Sequence, residues 1–136
     1  MMVVDTCVIV DISDCDPVFG ERSARVLEEY ADGGLLIAPV TFVELAPAFL
    51  GDVNREKLFL FELGIDLPNG FDTSDIPLAH AAWYRHIQKK RQGKSPRRPI
   101  ADVLIGALAQ ANDGLITRNA KDFKALFPNL NIIVPR

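Results

Sequence analysis

The chain has 136 residues, of which 49% are hydrophobic and 24% charged, with a formal net charge of −3. That length suits a single α/β domain over residues 1–136, able to bury about two thirds of the surface its unfolded chain exposes, and no apolar run approaches the roughly 20 residues of a membrane span. Mild acidity excludes a protein that coats nucleic acid with its whole surface, while Cys7 and Cys15, with no CxxC and no zinc-finger histidine spacing, exclude a soft-ligand metal site and leave oxygen as the donor for any ion.

From the N-terminus, Met2, Val3 and Val4 form a short buried strand ended by Asp5, and Thr6 to Val10 start a helix. Met1 to Asp5 enter that strand with no basic-then-apolar leader, so a cytoplasmic location is expected. An acidic, turn-rich stretch follows over residues 11–17, then a helix over 21–31 with Ala24, Val26, Leu27 and Tyr30 at helical spacing, stopped by Asp32-Gly33-Gly34. The next strand is 35–38, and Pro39-Val40-Thr41 leads into the helix that carries Glu44, where Thr41-Phe42-Val43-Glu44 matches a capping box. Pro47 predicts a kink or a late start near Glu44. Asp52 or Asn54 caps a short helix dense in apolar residues (Leu58, Phe59, Leu60, Phe61), and Ile65-Asp66-Leu67 is a strand ended by Pro68-Asn69-Gly70.

Ser74 or Asp75 opens a long helix through Trp83 to about Arg91. His80 and His86, six apart on it, do not share a face. Residues 85–98, RHIQKKRQGKSPRR, hold seven Lys or Arg, one His and no acid. A helix opening on Asp102, a turn at Asn112-Asp113-Gly114, the strand Leu115-Ile116-Thr117, a short helix ending near Phe127 and a last strand over 131–134 complete the chain. Strands alternating with helices predict a parallel sheet with helices on both faces. Both cysteines are expected reduced, and buried or half-buried.

Four acids should meet at one rim of such a sheet: Asp5, Glu44, Asp102 and Asp122, each close behind a strand or at a helix start. Open α/β sheets bind ligands at that edge. Each acid also has a purely structural role open to it, Asp5 as an N-cap, Glu44 in the capping box, Asp102 at a helix dipole, and Asp122 in the turn after an Asn119 cap. Capping requires no convergence, however, and several carboxylates within a few Å raise one another's pKa values unless a cation lies between them. Mg²⁺ or Mn²⁺ suits such a set, and a partly hydrated ion of this kind implies phosphoryl chemistry. Asp5, Asp102 and Asp122 are then the expected ligands, Glu44 a ligand or an orienter of metal-bound water, and Thr117 a supporting hydroxyl. Lys94, Arg97 and Arg98, in the basic strip just before Asp102, are candidate contacts to the phosphates of a polyanion.

In their contexts, Val4-Asp5-Thr6, Phe42-Val43-Glu44-Leu45, Pro99-Ile100-Ala101-Asp102-Val103-Leu104-Ile105 and Ile116-Thr117-Arg118-Asn119-Ala120-Lys121-Asp122-Phe123, these acids resemble those of the PIN-domain ribonucleases, and among them the VapC toxins of toxin–antitoxin pairs. The resemblance implies a PIN-like three-layer fold with a central parallel sheet, Mg²⁺- or Mn²⁺-dependent endonucleolytic cleavage of RNA, inhibition by a cognate antitoxin protein, and a homodimer. It places Asp5, Glu44 and Asp102 in the acidic pocket, with Asp122 or Asn119 completing it, and Thr6 beside Asp5. Cys7 departs from the Ser or Asn that the family often carries there. The alternatives are a structure-specific DNA nuclease of the wider PIN and flap group, or a PIN-like module that holds RNA or protein without cutting. The apolar residues Phe49, Leu50, Leu58, Phe59, Leu60 and Phe61 divide between core and a groove for an antitoxin helix or a dimer seam.

Overall fold

The computed structural model describes residues 1–67, 80–81, 84, 87–88 and 99–136. Five parallel strands, β1 (Met2–Val4), β2 (Leu35–Leu36), β3 (Ile65–Asp66), β4 (Gly114–Ile116) and β5 (Ile132–Ile133), form one sheet in the order β3-β2-β1-β4-β5. The central strand β1 pairs Met2 with Leu35 and Gly114, and Val4 with Ile116. The direction of winding therefore reverses between β1 and β4, and the crevice at their C-terminal ends is the switch point where such sheets hold ligands.

Side-chain alternation sends β1 into two cores. Met2 and Val4 pack with Val8, Ile9, Val26, Leu27, Phe42 and Leu45 on one face. These come from α1 (Thr6–Ser13), α2 (Gly20–Tyr30) and α3 (Pro39–Glu44), with Leu45 at the C-cap of α3. Val3 faces the other way, against Ile105, Ala109, Leu115 and Phe123, which brings in α5 (Pro99–Gln110) and α6 (Ala120–Leu126). The fold is α/β, with helices on both faces of an all-parallel sheet, as the strand–helix alternation predicts. The helix α4 (Val53–Glu62) precedes β3, and the Asp52 side chain caps it by accepting Arg55 N–H at 3.1 Å.

Several local expectations are corrected. Helix α3 starts at Pro39, with Ala38 extended at the N-cap position, so Thr41 lies inside the helix and no capping box forms. Proline suits the first helical position because its missing N–H has no partner to lose there. Glu44 is in consequence the last residue of α3. Pro47 falls in a 3-10 turn, Ala46–Phe49, that breaks away from α3, so the outcome is a kink and not a late start. Strand β2 stops at Leu36, while Ile37 N–H still reaches Asp66 O at 3.3 Å. Helix α5 begins at Pro99, leaving Asp102 in its first turn. The Asn119 side chain makes no capping bond to α6. Cys15 is exposed and Cys7 half-buried; Cys15 lies in the turn that closes α1, with φ +50°. The predicted long helix over 74–91 lies mostly outside the described residues, of which 80, 81, 84, 87 and 88 are helical.

Candidate active site

Asp5 follows β1 and caps α1, its Oδ1 accepting Thr6 N–H at 2.8 Å. Across the crevice Thr117, the residue after β4, is fully buried and donates its hydroxyl to Asp5 Oδ2 at 2.6 Å. The same threonine oxygen accepts Asn119 N–H at 3.0 Å. The Cys7 thiol donates to Asp5 Oδ2 at 3.2 Å. Burial raises the Asp5 pKa, opposed by the bonds from Thr117, Cys7 and Thr6 and by the charge of Arg118. Burial, and then the Asp5 charge, push the Cys7 thiol up to about 12, so it stays protonated and acts as a donor.

Glu44 reaches the same edge from α3. Thr6 Oγ1 donates to Glu44 Oε1 at 2.9 Å and stands 3.3 Å from the hydroxyl of the buried Thr41. Adjacent residues, Asp5 and Thr6, thus engage Thr117 and Glu44, from distant parts of the chain.

Asp102 is half-buried in the first turn of α5. Its carboxyl is pushed up to about 6, by burial first and then by the charges of Asp5, Glu44 and Asp122. Charges from the ends of β1, α3 and α6 all act on this one group, so the four predicted acids share an electrostatic neighbourhood. Asp122 is exposed in the first turn of α6, its N–H bonded to Asn119 O at 3.2 Å, and Asn119 is exposed beside it. Among the described residues, no group of three acidic, histidine or cysteine side chains is drawn tightly enough together to enclose a metal ion directly. Lys94, Arg97 and Arg98 lie outside the described residues.

Residues 2–126 match the family profile of the PIN domain. The chain belongs to the PIN domain family. No curated protein and no solved structure gives a significant match. PIN domains are generally nucleases, hydrolases of phosphodiester bonds, and typically use divalent metal ions. The donors at this PIN domain's β1/β4 edge fit such an ion in kind: carboxylates and hydroxyls are hard oxygen ligands, and the one sulfur present is held as a neutral thiol. No described helix is long and apolar enough to cross a membrane.

Four residues take parts in the structure that the sequence reading did not give them. Thr41 reads there as a helix cap, yet it backs the Thr6 hydroxyl that holds Glu44. Cys7 reads as a missing oxygen, yet its thiol supplies a hydrogen bond to Asp5. Arg118 and Asp11, joined by two hydrogen bonds of 2.6 and 2.9 Å, escape notice because 107 residues separate them. The available signal is Asp11 itself, the one acid in helix α1, set among Val8, Ile9, Val10 and Ile12 and one turn beyond Cys7.

Proposed function

We propose that this PIN domain is a Mg²⁺- or Mn²⁺-dependent endoribonuclease, the toxin of a VapC-type toxin–antitoxin pair. The observation that carries the reading is the convergence at the β1/β4 crevice. Asp5 is held by Thr117, Glu44 is tied to Thr6 beside it, and Asp102 is raised by the charges of Asp5, Glu44 and Asp122. Asp5, Glu44, Asp102 and Asp122 would hold the ion, in part through bridging waters, since Mg²⁺ gives up its hydration shell reluctantly. A bound ion of this kind acidifies water and polarises phosphoryl oxygens.

The chain's own groups set the geometry around it. The Thr117 hydroxyl and the Cys7 thiol both bond Asp5 Oδ2, which limits that oxygen's freedom and turns the carboxylate toward one orientation. Thr6 performs the same task for Glu44. Basic residues Lys94, Arg97 and Arg98 supply attraction for the RNA polyanion that an acidic pocket lacks.

The expected partner is a cognate antitoxin, with a homodimer of this chain and a cytoplasmic location. Of the six apolar residues singled out above, Leu50, Leu58 and Phe61 are exposed, whereas Phe49 and Leu60 are buried. A cavity of about 300 Å³ lined by Ala48, Phe49, Leu58 and Phe59, together with Arg55 and Glu62, supports a docking place for apolar side chains of a partner there.

The deciding experiment offers single-stranded RNA and DNA to one preparation, with Mn²⁺ or with chelator. The reading predicts RNA cleavage that requires the ion and disappears in Asp5→Asn with the fold intact. DNA cleaved in preference would move the protein to the flap-nuclease side of the family. RNA bound but uncut under all conditions would leave a binding module.

A further inference from the structure

The described structure contains an ion pair that the proposed chemistry does not use. Asp11, on α1, is 4% exposed and receives both Nε and Nη2 of Arg118, at 2.6 and 2.9 Å. The same guanidinium lies 4.2 Å from the centre of the Phe19 ring. A planar fork gripped at two oxygens and stacked on an aromatic face has little freedom left, and lysine cannot reproduce it.

We infer that the Asp11–Arg118 pair is a positioning clamp that sets where the segment after β4 places Asn119 and Asp122 relative to Asp5; the inference rests on reading this edge as an ion site. Asp11 follows Cys7 by four residues, so both lie on one face of α1. Through Cys7 that face touches Asp5 Oδ2 and stands 3.8 Å from the Thr117 hydroxyl, and through Asp11 it grips Arg118. Two successive residues leaving β4 are therefore fixed to the helix that Asp5 caps. From there the backbone is short and bonded: Asn119 N–H to Thr117 Oγ1 at 3.0 Å, Asp122 N–H to Asn119 O at 3.2 Å, with Phe123 fully buried behind. Asp122 itself is exposed, and its side chain makes no hydrogen bond to another described residue. Its place is inherited from the residues before it, and the clamp fixes the first of these.

Charge and position predict opposite signs for one substitution. Arg118→Gln removes a cation from the neighbourhood of Asp5, which by electrostatics alone makes a cation site tighter. Loss of the clamp makes it looser, by the 10–100-fold typical when a group orienting metal ligands is removed. The experiment titrates Mn²⁺ calorimetrically into wild type, Arg118→Gln and Arg118→Lys below their unfolding temperatures, and follows amide hydrogen exchange over residues 117–123 without metal. The clamp predicts weaker Mn²⁺ binding and faster exchange in Arg118→Gln, with a smaller weakening in Arg118→Lys, which keeps the charge and loses the fork. Affinity unchanged or tightened in Arg118→Gln overturns it. If Arg118→Gln does not fold, wild-type affinity in Arg118→Lys overturns it equally. A wild-type protein that takes up no Mn²⁺ ends the ion-site reading; the exchange data then decide the clamp alone, which stands if residues 117–123 loosen and falls if they do not.

Discussion

Replacing Asp102 by asparagine separates the cost of crowding four acids from their use. In the fold the Asp102 carboxyl is raised from 3.8 to about 6, by burial and by Asp5, Glu44 and Asp122. Because the folded value lies above the unfolded one, its favourable contribution to stability is complete below about pH 4 and is lost as pH rises to about 6. A rise of this size corresponds to at most about 3 kcal/mol, and solvent screening of a side chain only partly buried brings the expected effect to about 1 kcal/mol. At pH 7, with chelator present, Asp102→Asn should therefore be more stable than wild type by about 1 kcal/mol, while losing ion-dependent RNA cleavage. Near pH 3.5 the two proteins should converge. Urea unfolding at both pH values measures the difference as a shift in midpoint at constant slope. Asp102→Asn less stable than wild type at pH 7, or a difference that does not change with pH, would refute the claim that these acids burden the ion-free fold.

Three further outcomes follow from other contacts. Thr117→Val keeps the shape but strips a 2.6 Å bond from buried Asp5 and leaves Asn119 N–H without its acceptor; a loss of about 2 kcal/mol is expected in urea unfolding, with Thr117→Ser near wild type. A methyl group on Gly106 would lie 2.3 Å from Phe127 Cε2, so Gly106→Ala should cost about 1–3 kcal/mol and be relieved by Phe127→Leu; a thermal melt matching wild type would sink this packing argument. Buried Glu56 lies 2.7 Å from buried His80, and burial drives the acid up to about 9 and the imidazole down, so both are neutral at pH 7. Stability from Glu56 is thus lost between about pH 4.5 and 9, and Glu56→Gln should be no less stable at pH 7 and should flatten that slope; a clear drop in its unfolding midpoint would point to a charged pair instead.

How much of this was legible in the sequence depends on the range of the interactions involved. Asp5 and Asp102 announce themselves locally, the first by ending an apolar strand and the second by standing in the first turn after Pro99. The strand–helix alternation yields the parallel sheet, whose central strands β1 and β4 are buried on both faces. Glu44 is read from the sequence as an acid of the rim but in the wrong local setting: the capping-box pattern competes with Pro39, which starts the helix three residues earlier. Asn119 fits an N-cap by type, yet its backbone N–H is already committed to Thr117 and its side chain caps nothing. The Asp11–Arg118 pair depends on tertiary approach between α1 and the end of β4, for which spacing along the chain gives no signal; the Cys7 donor bond spans only two residues, and what hides it is the thiol standing where an oxygen is expected.

The central claim is that carboxylates from four separate segments act as one cation site at the β1/β4 crevice. Calorimetric titration of Mn²⁺ into the chelator-stripped protein tests it most directly. The account predicts binding in wild type that is abolished in Asp5→Asn and in Asp102→Asn, both still folded by circular dichroism. Mn²⁺ binding that survives unchanged in the two variants would contradict it.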